Sequence, residues 1–245
     1  MARLAQMFRH PVKGIGSEPL EVCHLSPEGA MSGDRAWALL TAAAAEDIDA
    51  WQPRRNFLVV ARGPDLSPIT ARTIGETIEL SHPGRPSLTF DPATEADALR
   101  NWIAPLWPSA DPAPARLVRA PGHGMTDMPE PFVSIGNLAS LEALGEAAGQ
   151  PLDPRRFRIN LWVENLPAWE ETNWIGQELH VGPLRLFIDQ PIGRCRAPDA
   201  NPETGTRDVI VNRELTTLGK ETNFGVYARV LTSGSATLGD KVTLT

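Results

Sequence analysis

Cysteine is scarce in this sequence of 245 residues, which contains only Cys23 and Cys195. No C-x-x-C pair occurs, so the usual spacings of zinc and iron–sulfur sites are excluded. A disulfide between the two cysteines stays open, but two isolated thiols are more typical of reduced cysteines in the cytoplasm.

Basic residues are outnumbered, and long apolar runs are lacking. The 23 Lys and Arg residues against 30 Asp and Glu residues give a formal net charge of −7. Because binding to nucleic acid or to an anionic membrane needs a basic field, we expect neither partner, although a local basic pocket for a small anion stays compatible with this charge. No stretch approaches the roughly 18 apolar residues of a membrane span, and the N-terminus has no apolar core of a signal peptide. We therefore predict a cytoplasmic protein without a membrane span.

Familiar catalytic motifs are also missing. There is no phosphate-binding P-loop, no H-E-x-x-H and no G-x-S-x-G, and Gly14-Ile15-Gly16 lacks the third glycine of a dinucleotide-binding fingerprint. The five histidines show no metal-ligand spacing. The common hydrolase, metalloprotease and nucleotide-binding classes therefore find no support.

Proline and glycine are abundant, with 23 and 20 residues, which is typical of many short elements joined by turns. The Thr94-Glu95-Ala96-Asp97 sequence predicts the start of one helix, and apolar spacing predicts a second helix at residues 138–148, stopped by Gly149. The segment at residues 42–50 is predicted as a short exposed helix or a mobile loop. Apolar runs predict strands near residues 4–8, 20–25, 35–40, 57–61, 69–73, 76–80, 158–163, 178–181, 184–188, 226–231 and 236–244. We predict a β-rich α+β fold with barrel-like strands and a few peripheral helices.

Four prolines at residues 105–114 make this stretch the best candidate for a linker. We place a boundary there, between an N-terminal β unit at residues 1–110 and a second unit at residues 111–245. The alternative is one continuous body in which this stretch is only a long loop.

Basic residues near turns are the first candidates for a binding site. Lys13 lies in a Gly-rich turn, Arg35 follows Gly33-Asp34, and Arg156 and Arg158 precede a strand that is predicted to be buried. If the alternation of a strand holds there, Arg156 and Arg158 share a face. Arginine and lysine side chains held in fixed positions suit a phosphate. The alternative is a solvated basic surface that pairs with the many acidic residues.

Cys195 is the second candidate, because it follows a strand-like run and starts a proline-rich loop. Three roles stay open: a soft metal ligand, a nucleophile, or a small buried hydrophobic residue. Its neighbours Arg194 and Arg196 are expected to point away from the thiol, since adjacent side chains of an extended chain alternate. Cations that act on the thiol would then come from elsewhere, for example from Arg158.

Short motifs occur in order along nearly the whole chain. They are His10-Pro11-Val12-Lys13, Gly33-Asp34-Arg35-Ala36-Trp37, Arg156-Phe157-Arg158-Ile159-Asn160, Trp174-Ile175-Gly176, Arg194-Cys195, Pro202-Glu203-Thr204-Gly205, Asn223-Phe224-Gly225-Val226-Tyr227 and Leu238-Gly239-Asp240. Together they resemble MOSC-domain proteins, named for the C-terminal domain of molybdenum-cofactor sulfurase. The similarity is to the subgroup with a MOSC N-terminal β-barrel region, which includes the mitochondrial amidoxime-reducing component and bacterial N-hydroxylated-base reductases.

This resemblance implies a molybdenum cofactor (Mo-molybdopterin), a pterin that carries a dithiolene, the metal and a phosphate. It makes residues 1–110 the N-terminal β-barrel region and residues 111–245 the MOSC domain. It also makes Cys195 the metal ligand and catalytic residue. The residues that it implies for cofactor binding are Lys13, Gly14, Arg35, Arg158, Asn160, Gly193 and Arg194.

The resemblance further implies an oxidoreductase that reduces N-hydroxylated small molecules with electrons from a separate donor protein. An alternative is a non-catalytic carrier of the cofactor or of sulfur, in which Cys195 holds a persulfide. A third hypothesis is a scaffold that has lost its ligand, because Glu130 and Gly193 depart from residues common in the family. Glu130 is expected to lie near the phosphate and to repel it.

Overall fold

The structure of the protein is a computed structural model that describes residues 1–44, 48 and 50–244. The segment that was predicted at residues 42–50 lies partly outside these described residues. None of the described helices is long and apolar enough to span a membrane.

Strands dominate the described part of the chain, together with three α-helices and six short 3-10 helices. The strands are β1 (Arg3–Arg9), β2 (Val12–Lys13), β3 (Glu18–Pro19), β4 (Val22–Ser26), β5 (Ala30–Met31), β6 (Trp37–Thr41), β7 (Thr70–Ile74), β8 (Thr77–His82), β9 (Arg85–Phe90), β10 (Pro114–Arg119), β11 (Phe132–Asn137), β12 (Leu161–Glu164), β13 (Glu178–Val181), β14 (Leu184–Gly193), β15 (Asn223–Val230), β16 (Gly234–Thr237) and β17 (Val242–Leu244). The α-helices are α1 (Ala96–Ile103), α2 (Leu138–Ala148) and α3 (Val211–Thr217). The 3-10 helices are Arg54–Asn56, Pro64–Leu66, Ala104–Leu106, Pro154–Phe157, Glu170–Trp174 and Ala197–Asp199. The predicted β-rich α+β fold is confirmed.

An eight-stranded sheet forms the centre of the molecule, in the order β17-β13-β14-β15-β11-β12-β1-β3. Its pairs are antiparallel except β11 with β12, which run parallel and are connected through α2. A parallel pair needs such a crossover connection. All six residues of β11 are buried, because apolar clusters pack on both faces of the sheet at this strand.

Three smaller sheets complete the fold, with the orders β10-β6-β2, β16-β4-β5 and β7-β8-β9. Strands that are far apart in the sequence pair repeatedly: β1 pairs with β12, β6 with β10, and β4 with β16. These pairings bring loops from distant parts of the sequence to one side of the central sheet. The boundary between residues 1–110 and 111–245 stays a prediction.

Helix α2 has the bounds that the sequence predicts, because its end signals are local. The Asn137 side chain accepts a hydrogen bond from Ala139 N at 3.0 Å, and Gly149 ends the helix with a φ of +70°. Helix α1 begins after Glu95 and buries Leu99 as expected.

Three strand predictions are wrong in their bounds or type. Residues 57–61 form no strand, only a single bridge between Phe57 and Leu40, and their apolar side chains fill the core from a loop. The strand predicted at residues 158–163 begins only at Leu161, because a 3-10 helix, Pro154–Phe157, occupies the preceding turn. The strand predicted at residues 236–244 is two strands, β16 and β17, with a turn between them. The elements that were not predicted are strands β2, β3, β5, β9, β10 and β11 and helix α3.

Candidate functional site

A cavity of about 470 Å³ lies where loops of the smaller sheets meet the central sheet. Cavities that bind small molecules commonly have volumes of roughly 300–1,000 Å³. The residues predicted for the site all line this cavity: Lys13, Gly14, Arg35, Arg158, Asn160, Gly193, Arg194 and Cys195. Their roles in binding stay predictions.

The lining of the cavity is strongly basic, although the protein carries a net charge of −7. Within the part of the chain that the structure describes, one acidic side chain, Asp127, faces six basic ones: Lys13, Arg35, Arg54, Arg156, Arg158 and Arg194. A concave surface with one dominant sign of charge concentrates ions of the opposite sign. The cavity is therefore suited to an anion.

Lys13 ends β2 and its side chain is only 4 % exposed. Its Nζ lies 2.5 Å from Asp127 Oδ1. Burial lowers the pKa of Lys13, while the Asp127 carboxylate opposes this change. The chain turns at Gly14, where φ is +73° and an added Cβ would collide with the carbonyl oxygen of Leu58. Only glycine fits this turn without strain.

Arg35 follows the tight turn at Gly33 and has a left-handed φ of +49°. Its guanidinium forms an ion pair with Asp34 and donates from Nη2 to the Arg158 carbonyl at 2.9 Å. Asp34 also accepts a hydrogen bond from His10 N at 2.8 Å. Arg35 is therefore held in place before any ligand arrives.

Arg158 ends the 3-10 helix Pro154–Phe157 with a left-handed φ of +51°. It donates to the carbonyl oxygens of Gly16 at 3.1 Å and Val12 at 3.4 Å, and it forms no ion pair within the described residues. Desolvation, followed by the charge of Arg35, lowers its pKa to about 9. A guanidinium that is mostly buried and has no carboxylate partner is costly to the folded state.

The prediction that Arg156 and Arg158 share a strand face is wrong, because neither lies in a strand. Arg156 is buried and forms an ion pair with Asp208 at 2.8 Å. Both arginines nevertheless line the cavity, as does Phe157 between them. The alternation of side chains in a strand does not apply to the 3-10 helix Pro154–Phe157 and the residue that follows it.

Arg194 directly follows the last residue of β14. Its Nε and Nη1 donate to the carbonyl oxygens of Phe224 and Phe157, each at 2.9 Å, and it also forms no ion pair within the described residues. Burial lowers its pKa to about 10. The expectation that Arg194 and Cys195 face opposite ways is wrong, because the strand ends at Gly193 and both side chains line the cavity.

Cys195 is a free, partly exposed thiol on the cavity wall, whereas Cys23 is buried in the core. Cys23 contacts Met7 Sδ at 3.5 Å, and burial raises its pKa to about 11. Among the described residues, no group of three or more His, Cys, Asp or Glu side chains is arranged to hold a metal. A metal at Cys195 would have to bring most of its other ligands with it.

Asn160 and Gly193 shape the backbone that surrounds the cavity. The Asn160 side chain accepts a hydrogen bond from Ser134 Oγ at 2.8 Å and donates to the Phe8 carbonyl at 3.2 Å, so it ties β11 and β1 together. Gly193 pairs with Asn223 at the end of β14, and an added Cβ there would meet only Asn223 Oδ1, at an ordinary contact distance of 3.7 Å.

Asp127 is the main cavity residue that was not predicted from the sequence. It lies in a segment without helix or strand, and no local pattern distinguishes it. Glu130 was expected near the ligand, but it is exposed and lies outside the cavity lining. An apolar part of the lining was also missed, including Trp51, Phe132 and Tyr227. Phe132 and Tyr227 stack with ring centroids 5.3 Å apart.

Family models account for most of the chain. The model of the MOSC domain matches residues 123–243, and that of the MOSC N-terminal beta barrel domain matches residues 1–108. The chain belongs to the MOSC family. The resemblance read from the sequence is thereby confirmed at the level of the family. MOSC domains are associated with proteins of the molybdenum cofactor. No curated protein sequence gave a match.

Several solved structures are similar to the MOSC chain. YiiM from Geobacillus stearothermophilus is 19 % identical, with a TM-score of 0.35 over 46 % of this chain and 53 % of that one. YiiM from Escherichia coli is also 19 % identical, with a TM-score of 0.33 and the same coverage. The YUAD protein from Bacillus subtilis is 12 % identical, with a TM-score of 0.47 over 98 % and 93 %. The chain thus spans about half of the YiiM structures that it matches, and at these values none carries an argument about function.

Proposed function

We propose that the cavity binds a molybdenum cofactor and that the loaded MOSC protein is an oxidoreductase. The proposal rests on the guanidinium groups of Arg158 and Arg194, which line the cavity and form no ion pair with any residue that the structure describes. A buried charge without a partner destabilises the folded protein by several kcal/mol. An anionic ligand in the cavity supplies the missing negative charge.

The basic side chains fit the phosphate of the cofactor that the family resemblance implies. Lys13, Arg35 and Arg158 would hold the phosphate and pterin, and the backbone N–H of Gly14 adds a donor. Each charge-assisted hydrogen bond contributes about 1.5–3 kcal/mol, so three of them would hold an anion firmly. Asn160 would support this arrangement by fixing the strands behind it.

Cys195 fits the metal end of the same ligand. A thiolate is a soft donor, and Cys195 is the cysteine on the cavity wall. The absence of a protein metal cluster among the described residues agrees with a metal that arrives with its own dithiolene sulfurs. When bound, such a cofactor supplies two-electron redox chemistry, while the basic side chains would hold it and Cys195 would ligate its metal.

The reaction that we propose is the reduction of an N-hydroxylated compound to the corresponding base. Two electrons and two protons break the N–O bond, and the oxygen leaves as water. Since the described residues contain no second redox group, a separate donor protein would supply the electrons. The likeness to amidoxime-reducing proteins motivates this substrate class, and a cytoplasmic location belongs to the same proposal.

A second candidate function is a carrier of sulfur or of the cofactor without turnover. The partly exposed, free thiol of Cys195 favours it, because such a thiol is able to hold a labile persulfide sulfur. Mass spectrometry of freshly isolated protein separates the two functions. A labile additional sulfur on Cys195 supports the carrier, and sustained reduction of benzamidoxime by metal-loaded protein with a chemical electron donor excludes it.

The molybdenum and pterin contents of protein purified without oxygen from a host that makes the cofactor test the proposal. We expect wild-type protein and Cys23→Ala to contain both, since Cys23 lies in the core away from the cavity. Cys195→Ala is expected to lose most of the molybdenum. Wild-type protein without molybdenum and pterin, or equal molybdenum in Cys195→Ala, would contradict the proposal.

A further inference from the structure

Among the described residues, Asp127 is the one acidic side chain on the wall of a cavity that otherwise carries basic groups. Its side chain is 50 % exposed, whereas its partner Lys13 is 4 % exposed. The carboxylate therefore lies at the solvent side of the pair, and the ammonium lies at the protein side. The segment around Asp127 is neither helix nor strand.

The two partners do not depend equally on their contact. A buried ammonium needs a counter-charge, because desolvation disfavours its charged form. A half-exposed carboxylate, in contrast, is solvated by water when it leaves the pair. Burial raises the pKa of Asp127, but Lys13 and then the charges of Arg35 and Arg54 lower it below its usual value, and both arginines also line the cavity. Asp127 thus keeps a basic neighbour when it is separated from Lys13.

We propose that Asp127 is a built-in competing anion, which occupies Lys13 until the anionic group of a ligand takes its place. This inference rests on the proposed function only in that the cavity receives an anion. The carboxylate lowers the anion affinity of the cavity in two ways: it must be displaced from Lys13, and its charge repels the incoming ligand. Asp127 thereby sets how strongly the cavity binds anions.

Sulfate and perchlorate are suitable probes, because they are both tetrahedral and differ in charge. We expect Asp127→Asn to bind sulfate at least tenfold more tightly than wild-type protein by isothermal titration calorimetry at constant ionic strength. The gain for perchlorate is expected to be smaller, since electrostatic repulsion scales with ligand charge. Equal or weaker sulfate binding by Asp127→Asn would overturn the proposal and assign Asp127 the opposite role, that of positioning Lys13.

Glu130→Gln is the matched control, because it removes one negative charge from the same segment outside the cavity. We expect its sulfate affinity to stay within about twofold of wild type, since exposed charges are screened by salt. A gain as large as that of Asp127→Asn would show a general charge effect and overturn the specific role of Asp127.

Hydrogen–deuterium exchange of wild-type protein provides a test that needs no variant. Sulfate is expected to speed the exchange of amides around Asp127, because release from Lys13 removes a contact that holds this segment. Unchanged or slower exchange there would overturn the proposal. None of these measurements uses molybdenum or turnover, so their failure is distinguishable from failure of the proposed enzyme function.

Discussion

Replacing Arg158 by methionine is expected to stabilise the protein in the absence of anions and to weaken anion binding. Desolvation and the charge of Arg35 lower the pKa of Arg158 from its usual value to about 9. Because a tenfold change in an equilibrium constant corresponds to about 1.4 kcal/mol, this lowering represents on the order of 5 kcal/mol. The folded state binds fewer protons than the unfolded state between these two pKa values. Stability therefore rises with pH in that window, and the full cost applies below about pH 9.

The substitution also removes two hydrogen bonds, but it leaves no acceptor without a donor. The Gly16 carbonyl keeps its contact with His10 Nδ1 at 3.3 Å, and the Val12 carbonyl keeps its bond from Ile15 N at 3.1 Å. Losing these two hydrogen bonds offsets part of the stability gained by removing the buried charge, since each bond from a charged donor contributes about 1.5–3 kcal/mol at good geometry. The net expectation for Arg158→Met is a free energy of unfolding that is about 1–3 kcal/mol higher.

Urea unfolding followed by tryptophan fluorescence, with and without sulfate, measures both effects. Wild-type protein is expected to gain about 2.7 kcal/mol when sulfate is present at 100 times its dissociation constant, and Arg158→Met much less. Arg196→Met is the control, because Arg196 is exposed and outside the cavity lining; it also accounts for the general stabilisation by sulfate. A less stable Arg158→Met variant with an undiminished gain from sulfate would refute the reasoning.

Three further predictions concern stability and pH. Gly14→Ser is expected to lower the free energy of unfolding by about 3 kcal/mol or more, because φ is +73° and the new Cβ collides with Leu58 O. Gly149→Ser, whose Cβ meets open space, should lower it by only about 1 kcal/mol. Equal losses in urea unfolding would contradict this account. Sulfate affinity is expected to fall as pH rises through about 9, where Arg158 loses its proton, and calorimetry on Arg158→Met should show a smaller fall, which Lys13 with its lowered pKa still contributes. Glu171→Gln is expected to raise the free energy of unfolding by roughly 1 kcal/mol at neutral pH, because burial raises the pKa of Glu171 and so disfavours its charged form. The wild-type protein loses stability as pH rises from the unfolded-state pKa of Glu171 to its higher folded-state pKa. Unfolding curves in acid, where Glu171 is protonated in both states, should therefore show no gain for the variant.

The parts of the fold that the sequence predicted are those with local signals. Helix α2 has an apolar face, an Asn137 cap and a Gly149 stop within a few residues of one another. Strand β8 alternates, and Ile78 and Leu80 are buried as expected. In α2 the period, the caps and the burial agree, and in β8 the alternation and the burial agree, so nearby residues suffice to define each element.

The parts that the sequence did not predict depend on distant contacts. The apolar run at residues 57–61 is buried without being a strand, because the core accepts side chains from loops as readily as from sheets. Asp127 lies 114 positions from Lys13, and no periodicity connects the two. The cavity residues were predicted as a group because the resemblance to MOSC proteins connects motifs that are far apart in the sequence. Their ion pairs could be seen only in the structure.

Whether Cys195 ligates molybdenum in this cavity is decided by the number of sulfur ligands on the metal. X-ray absorption at the molybdenum edge measures that number in wild-type protein, and in Cys195→Ala loaded with enough cofactor to give a signal. The account predicts one sulfur neighbour fewer in the variant than in the wild-type protein. An unchanged number of sulfur neighbours would contradict it.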